Sequence, residues 1–206
     1  MGKTVILDNG HGGVINGVYQ TKGKRSPDWD KGVLYEGDFN RAIVNRVINL
    51  LSVSSAVGFK VPYYNISPEL TDVSLGTRVS RANKIYAENS DTYLLSIHAN
   101  AAKNDNTGTG GEIFVHPEAS EESRILADRF AGYVKGIGGL KWRPASPTNL
   151  IKEANYKILR ETNCPAMLLE VAFMNHEYDY ELLWSEDFRN DYATALAVMI
   201  AKIHSE

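Results

Sequence analysis

Three short apolar runs, each ending in polar residues, constrain this chain more than anything else in it. "TVILD" (residues 4–8), "TYLLSI" (92–97) and "PAMLLEV" (165–171) read as buried β-strands. Segments of helical spacing separate them. Phe39, Ile43, Val47, Leu50 and Leu51 recur at the interval of one helix face over residues 37–52. Further helices are expected over 74–88, 120–135 and 188–204, and the second of these opens with Glu121 and Glu122, where a helix dipole favours acids. "VGFKVPYY" (57–64) reads as another strand, irregular or at an edge because of Pro62. "GEIFV" (111–115) reads as a short strand, residues 136–150 as an exposed loop, and residues 153–161 as a helix. Strands that alternate with helices predict an α/β fold: one domain over residues 1–206, with a mostly parallel mixed sheet flanked by helices.

Composition narrows the function classes. A chain of 206 residues can bury a full core without disulfides or structural metals, so a metal here would serve chemistry before folding. The net charge of -3 leaves no electrostatic footprint for nucleic acid. No apolar run approaches the ~20 residues of a membrane span. Cys164 is the sole cysteine; it precedes an apolar run with no histidine beside it in sequence, and reads as a small buried residue. Strand-like sequence begins at Lys3 and leaves no room for a signal peptide. The chain is therefore expected to be cytoplasmic as synthesised, or to be a domain excised from a longer secreted protein.

Four polar residues fall where chemistry is expected. His11 follows the first strand through the turn Gly10-His11-Gly12-Gly13, and His98 follows "TYLLSI" directly. Glu170 closes "AMLLE", and Glu36 stands just before the first helix. In open α/β sheets ligands gather at the carboxyl ends of the strands, so parallel strands would bring all four to one rim. The glycines around His11 read as a hinge that lets the chain turn sharply. Two histidines and a carboxylate are a common catalytic zinc set, and a second carboxylate can take a proton from water. Ligand type alone leaves manganese and iron open. Taken singly, each histidine is more simply a polar loop residue, and Glu36 an acid favoured by the helix dipole. Glu170 is harder to dismiss, since an acid closing a buried strand needs a partner or a role. His116, His176 and His204 read as weaker candidates on solvated turns or near the chain end, although His116, after "EIFV", is in position to line the same rim.

Four blocks, "ILDNGHGG", "YEGDFN", "SLGTRVSRANKIYAENSDTYLLSIHAN" and "CPAMLLEVAFMNHEYD", resemble in order and spacing the zinc-dependent N-acetylmuramoyl-L-alanine amidases of the amidase 3 type. The resemblance covers nearly the whole chain. It implies a single catalytic domain of phosphorylase/hydrolase-like architecture, with His11, Glu36 and His98 as zinc ligands and Glu170 as the catalytic glutamate. Arg78 and Asn83 match an arginine and an asparagine of the family's helix before the "SIHAN" strand, and Asn100 is read as a rim residue. Asn9 stands where the family usually has proline, and the segment between His11 and Glu36 contains a stretch, "YQTKGKRSPDWDKG", with no assignable counterpart.

The implied substrate is peptidoglycan and the implied bond joins the lactyl group of N-acetylmuramic acid to L-alanine of the stem peptide. Tyr19, Trp29, Trp142 and Arg143 are loop residues that could touch glycan or peptide, with cover of apolar surface the favoured reading for Trp29. Rival readings are a zinc peptidase acting within the stem peptide and a non-catalytic wall-binding module, the latter having no use for Glu170. A phage or prophage endolysin and a domain of a cell-separation or sporulation amidase both suit the sequence. Neither nucleic acid nor membrane is expected as a partner, and oligomeric state is not legible.

Overall fold

The computed structural model describes residues 2–56 and 60–206. Six strands form the main sheet: β1 (Thr4–Asn9), β4 (Tyr63–Asn65), β5 (Thr92–Asn100), β6 (Glu112–Val115), β7 (Ile151–Glu153) and β8 (Ala166–Phe173). Their spatial order is β4-β1-β5-β8-β6-β7. β4, β1, β5 and β8 pair in parallel, whereas β6 pairs antiparallel with β8 and parallel with β7. The last two strands of the sheet therefore run backwards relative to the other four. A separate hairpin joins β2 (Val14–Ile15) to β3 (Val18–Tyr19) through Asn16 and Gly17, both left-handed, as a tight two-residue turn requires.

Helices α1 (Glu36–Ala56), α3 (Glu121–Val134) and α6 (Glu186–His204) cover one face of the sheet, while α2 (Leu75–Glu88) and the four-residue α4 (Lys157–Arg160) cover the other. The apolar runs lack polar alternation because both faces are buried. Val5, Leu7, Tyr93, Leu95, Met167 and Leu169 enter the first layer; Ile6, Leu94, Ala166 and Leu168 enter the second. Ser74, Ser120 and Ser185 cap α2, α3 and α6, each accepting a backbone N–H three residues on.

Three expectations need correction. Residues 153–161 are not one helix: β7 ends at Glu153, and only the single turn of α4 follows an extended Tyr156. The strand expected over 57–64 survives as Tyr63–Asn65, and its start at 57–59 lies outside the described residues. Past His176, read as lying on a solvated turn, residues 177–184 form α5 (Glu177–Trp184) beside α6.

Candidate metal centre

The rim is assembled on the α2/α4 face by strand parity. Along β1, β5 and β8 the side chains that start in the second core layer (Ile6, Leu94, Leu168) continue two residues at a time into Asp8, then Ser96 and His98, then Glu170. Pairing register aligns Asp8 with Ser96 and His98 with Glu170. The helix layer on this face is short here, and a cavity of about 410 Å³ opens over the strand ends. His11, Lys24, Glu36, His98, Asn100, Tyr156, Lys157 and Glu170 are among its lining.

His11 enters from the loop after β1, and Glu36 is the first residue of α1. Glu36 Oε1 lies 3.1 Å from His11 Nε2 and 2.9 Å from His98 Nδ1. One ligand atom from each of the three residues falls within 4.8 Å of the others, the sole such group among the described residues. A larger hollow of about 560 Å³ near Gly2 and Arg129 offers no such donor set. Burial acts to raise the Glu36 pKa, but the two imidazole hydrogen bonds outweigh it and hold the carboxyl at about 2. Burial opposes charge on His98, yet the carboxylates of Glu36, Glu170 and Asp8 hold its pKa above the ordinary value. This arrangement of two nitrogens and a carboxylate oxygen draws positive charge, as a divalent ion would supply, and could hold one.

Glu170 differs from Glu36. Its Oε2 is buried and has no hydrogen-bond partner among the described residues. Burial pushes its pKa up to about 8, against the pull of His98 and Lys24 and with the push of Glu36 and Glu112. A buried carboxyl with a vacant lone pair, paired in register with His98, is suited to receive a proton.

The glycines of the first loop are not hinges in the expected sense. His11 itself is the left-handed residue, with φ 69°, while Gly10, Gly12 and Gly13 have no positive φ. Their role is close approach. A Cβ on Gly10 would sit 2.0 Å from His98 Cε1, and one on Gly37 would sit 1.8 Å from the carbonyl oxygen of Gly12. Loop and helix start are then tied together: Asn40 donates to Gly10 O at 2.9 Å, and Arg41 donates to His11 O at 3.2 Å. Tyr19, a candidate for substrate contact, accepts from Gly37 N at 2.9 Å with its ring against Tyr35.

Under the rim, Arg78 and Asp8 form a buried ion pair at 2.7 Å, with Ser67 and Ser96 donating to the same carboxylate. Arg78 also donates to Asn9 O at 3.1 Å and so fixes the end of β1. Asn83 lies away from the site, joining α2 to the approach to β8 through Glu161 O and Asn163 N. Asn100 lines the cavity and donates to Glu112 at 2.7 Å.

Glu112 is the residue that sequence reasoning missed. Because β6 is reversed, its first residue pairs with Glu170 at the rim, and His116 after its last residue goes to the opposite end, near Cys164 and Pro165. Buried Glu112 accepts from Asn100, Arg143 and Lys152. The signal was present: an acid opening a buried strand poses the same problem as Glu170 closing one. Trp142 packs over Gly111 and donates to Leu150 O, while Trp29 meets Tyr180 edge to face, away from the metal-ligating set. Burial raises the Cys164 thiol to about 12, which keeps it protonated. His176 stands at the start of α5, and His204 meets Lys3 O.

Comparison with known proteins fixes the lineage. The model of the amidase 3 family, described as N-acetylmuramoyl-L-alanine amidase, matches residues 5–202. The chain belongs to the amidase 3 family. Within that family it is similar to the endolysin of Bacillus phage SPP1, at 29% identity over 98% of this chain and 66% of that one. It is also similar to the N-acetylmuramoyl-L-alanine amidase CwlM of Bacillus licheniformis, at 31% over 68% of this chain and 52% of that one. A cell wall amidase of Bacillus anthracis is 29% identical over 95% of this chain but 34% of its own length, so the chain spans from a third to two thirds of these relatives. Among solved structures, the N-acetylmuramoyl-L-alanine amidase of Clostridium difficile 630 superposes with a TM-score of 0.76 at 28% identity, covering 98% of this chain and 96% of that one. The catalytic domain of CwlV from Bacillus (Paenibacillus) polymyxa var. colistinus gives 0.72 at 26% identity, covering 97% of each. The fold is thus the α/β architecture that the resemblance implied.

Proposed function

We propose that this amidase 3 chain is a zinc-dependent N-acetylmuramoyl-L-alanine amidase, hydrolysing the bond between the lactyl group of N-acetylmuramic acid and L-alanine of the peptidoglycan stem. The observation that carries the reading is the convergence of His11, Glu36 and His98 within 4.8 Å, beside a buried Glu170 oxygen that has no partner. His11, Glu36 and His98 would hold the zinc, which supplies a Lewis acid for the scissile carbonyl and lowers the pKa of an attacking water.

The chain's own groups do the rest. Glu36 keeps its negative charge through burial because two imidazoles hold it. Glu170 takes a proton from the attacking water and delivers it to the leaving nitrogen of L-alanine, which departs as a neutral amine. Burial supports the first half of that task, since a carboxyl raised toward 8 accepts a proton readily. The Arg78–Asp8 pair and the Asn40 and Arg41 bonds hold the strand ends and loop that carry His11. The cell wall is the site of action in this reading, and a single catalytic unit over residues 1–206 is part of it.

Purified sacculi digested with and without a chelator test the proposal by mass spectrometry of the products. Stem peptides beginning with L-alanine, lost on chelation and restored by zinc, are expected. Cuts inside the stem peptide would replace the amidase with a peptidase. Binding to sacculi with no product would leave a wall-binding module.

A further inference from the structure

We infer that Lys24 is a specificity residue that reads a free carboxylate on the stem peptide next to the scissile bond; this rests on the amidase reading above. Four cationic side chains lie on or beside the cavity wall: Lys24, Arg143, Lys152 and Lys157. Three are engaged. Arg143 and Lys152 are both paired with buried Glu112, and Lys157 pairs with Glu161 at 3.5 Å. Lys24 forms no ion pair or side-chain hydrogen bond among the described residues.

Its position is nonetheless fixed by backbone. Glu36 N donates to Lys24 O at 3.0 Å, and the neighbouring residues Arg25 and Tyr35 form an antiparallel bridge. Ser26 N donates to Leu34 O at 2.9 Å, which closes the same short ladder. Lys24 is thus anchored beside one of the proposed metal ligands while its ammonium stays in water at the cavity mouth. An exposed cation that reaches Glu170 only through its field, with no ion pair or side-chain hydrogen bond among the described residues, is arranged to recognise an anion brought by the ligand.

The substrate class supplies one. The stem residue after L-alanine is D-glutamate joined through its side chain, so its α-carboxyl lies on the leaving side of the scissile amide, either free or amidated. A lysine, a mobile point charge on a long stem, suits a single carboxylate that must be released with the product. Lys24 sits in the segment between His11 and Glu36 that has no assignable family counterpart, which makes the preference a property of this chain.

The test uses the zinc-loaded full chain and two substrates, N-acetylmuramoyl-L-alanyl-D-glutamate and its D-isoglutamine form. Wild type is expected to prefer the acid by roughly two- to fivefold in kcat/KM, as an exposed charge pair allows. Lys24→Ala should collapse that ratio to near one through a rise in KM for the acid, Lys24→Glu should invert it, and Lys24→Arg should restore it. Equal ratios for wild type and Lys24→Ala, or a loss confined to kcat and equal for both substrates, would overturn the inference. Calorimetric binding of both compounds to Glu170→Gln protein, with and without Lys24→Ala, separates the two readings. Acid-selective binding that needs Lys24, without cleavage by wild type, breaks the amidase reading alone. Cleavage without selectivity breaks the inference alone, and an absence of both binding and cleavage breaks both.

Discussion

The two halves of the sheet reach the same rim by opposite means. β4, β1, β5 and β8 bring their carboxyl ends there, with His98 and Glu170 near the ends of β5 and β8 and His11 just past β1. β6 and β7 run the other way, so Glu112 arrives from the amino end of β6 and His116 leaves for the far side. Strand direction, and not rank in the sequence, decides which polar residue joins the site. The difference also sorts the roles. Residues from the parallel half meet the cavity with unpaired or metal-ready atoms, whereas those from the reversed half are locked in ion pairs around Glu112.

Substitutions can break or sharpen that contrast. The largest effect is expected at Glu170. Glu170→Gln keeps the shape of the parallel half and removes its proton acceptor, so kcat should fall roughly 10²- to 10⁴-fold while zinc content, read by atomic absorption, stays at wild-type level. Unchanged turnover would take the proton-transfer role away from Glu170.

Next comes the support beneath it. Asp8→Asn leaves the buried Arg78 with only the partly exposed Asp72, at 3.4 Å, as counter-charge and should cost about 3 kcal/mol in chemical denaturation. The pH dependence follows from the sign of the shift. Burial raises the Asp8 pKa, but Arg78, His98, Ser96 and Ser67 outweigh it and hold it below the usual carboxylate value. Its stabilising share is therefore complete above the unfolded-state pKa of about 3.9 and is lost as pH falls through the lower folded value. Acid titration of wild type should show this loss, and Asp8→Asn should lack that component.

A smaller cost is expected in the reversed half. Glu112→Gln should lower stability by about 1–2 kcal/mol, because Arg143 and Lys152 are partly exposed and can turn to water. Thermal melts with activity assays would check it, and a loss of turnover matching that of Glu170→Gln would erase the distinction between the halves. Smallest of all, His116→Ala should change stability by no more than about 0.5 kcal/mol and leave turnover as it is, measured the same way. A large effect there would contradict the reversed direction of β6.

Much of this was legible in the chain. Long apolar runs specify doubly buried strands, and a polar residue closing such a run announces a rim, which is how His98 and Glu170 were found. Direction is a different kind of information. The four residues of β6 carry no local mark of whether they pair parallel or antiparallel, since that depends on contacts more than fifty residues away at Leu168 and Glu170. Glu112 was lost for that reason. The Asn16-Gly17 hairpin did carry a local signal, a two-residue turn needing positive φ at both positions, and it was overlooked just before the stretch from Tyr19 that had no assignable counterpart. Residues 153–161 failed because three residues of edge strand and one turn of helix blur into an average with no clear period.

The segment between His11 and Glu36 is sealed at its base. Gly12 N donates to Thr21 Oγ1, Gln20 N donates to Gly13 O, Gly37 N donates to Tyr19, and Glu36 N donates to Lys24 O. These bonds fix the positions of His11 and Glu36, the two proposed ligands that the segment separates in sequence. Residues 27–33 beyond the seam lean on α5, through Trp29 against Tyr180 and Gly32 O accepting from Tyr180, so an insertion that keeps both contacts adds only a slowly growing loop-closure entropy and leaves the base of the segment as it is.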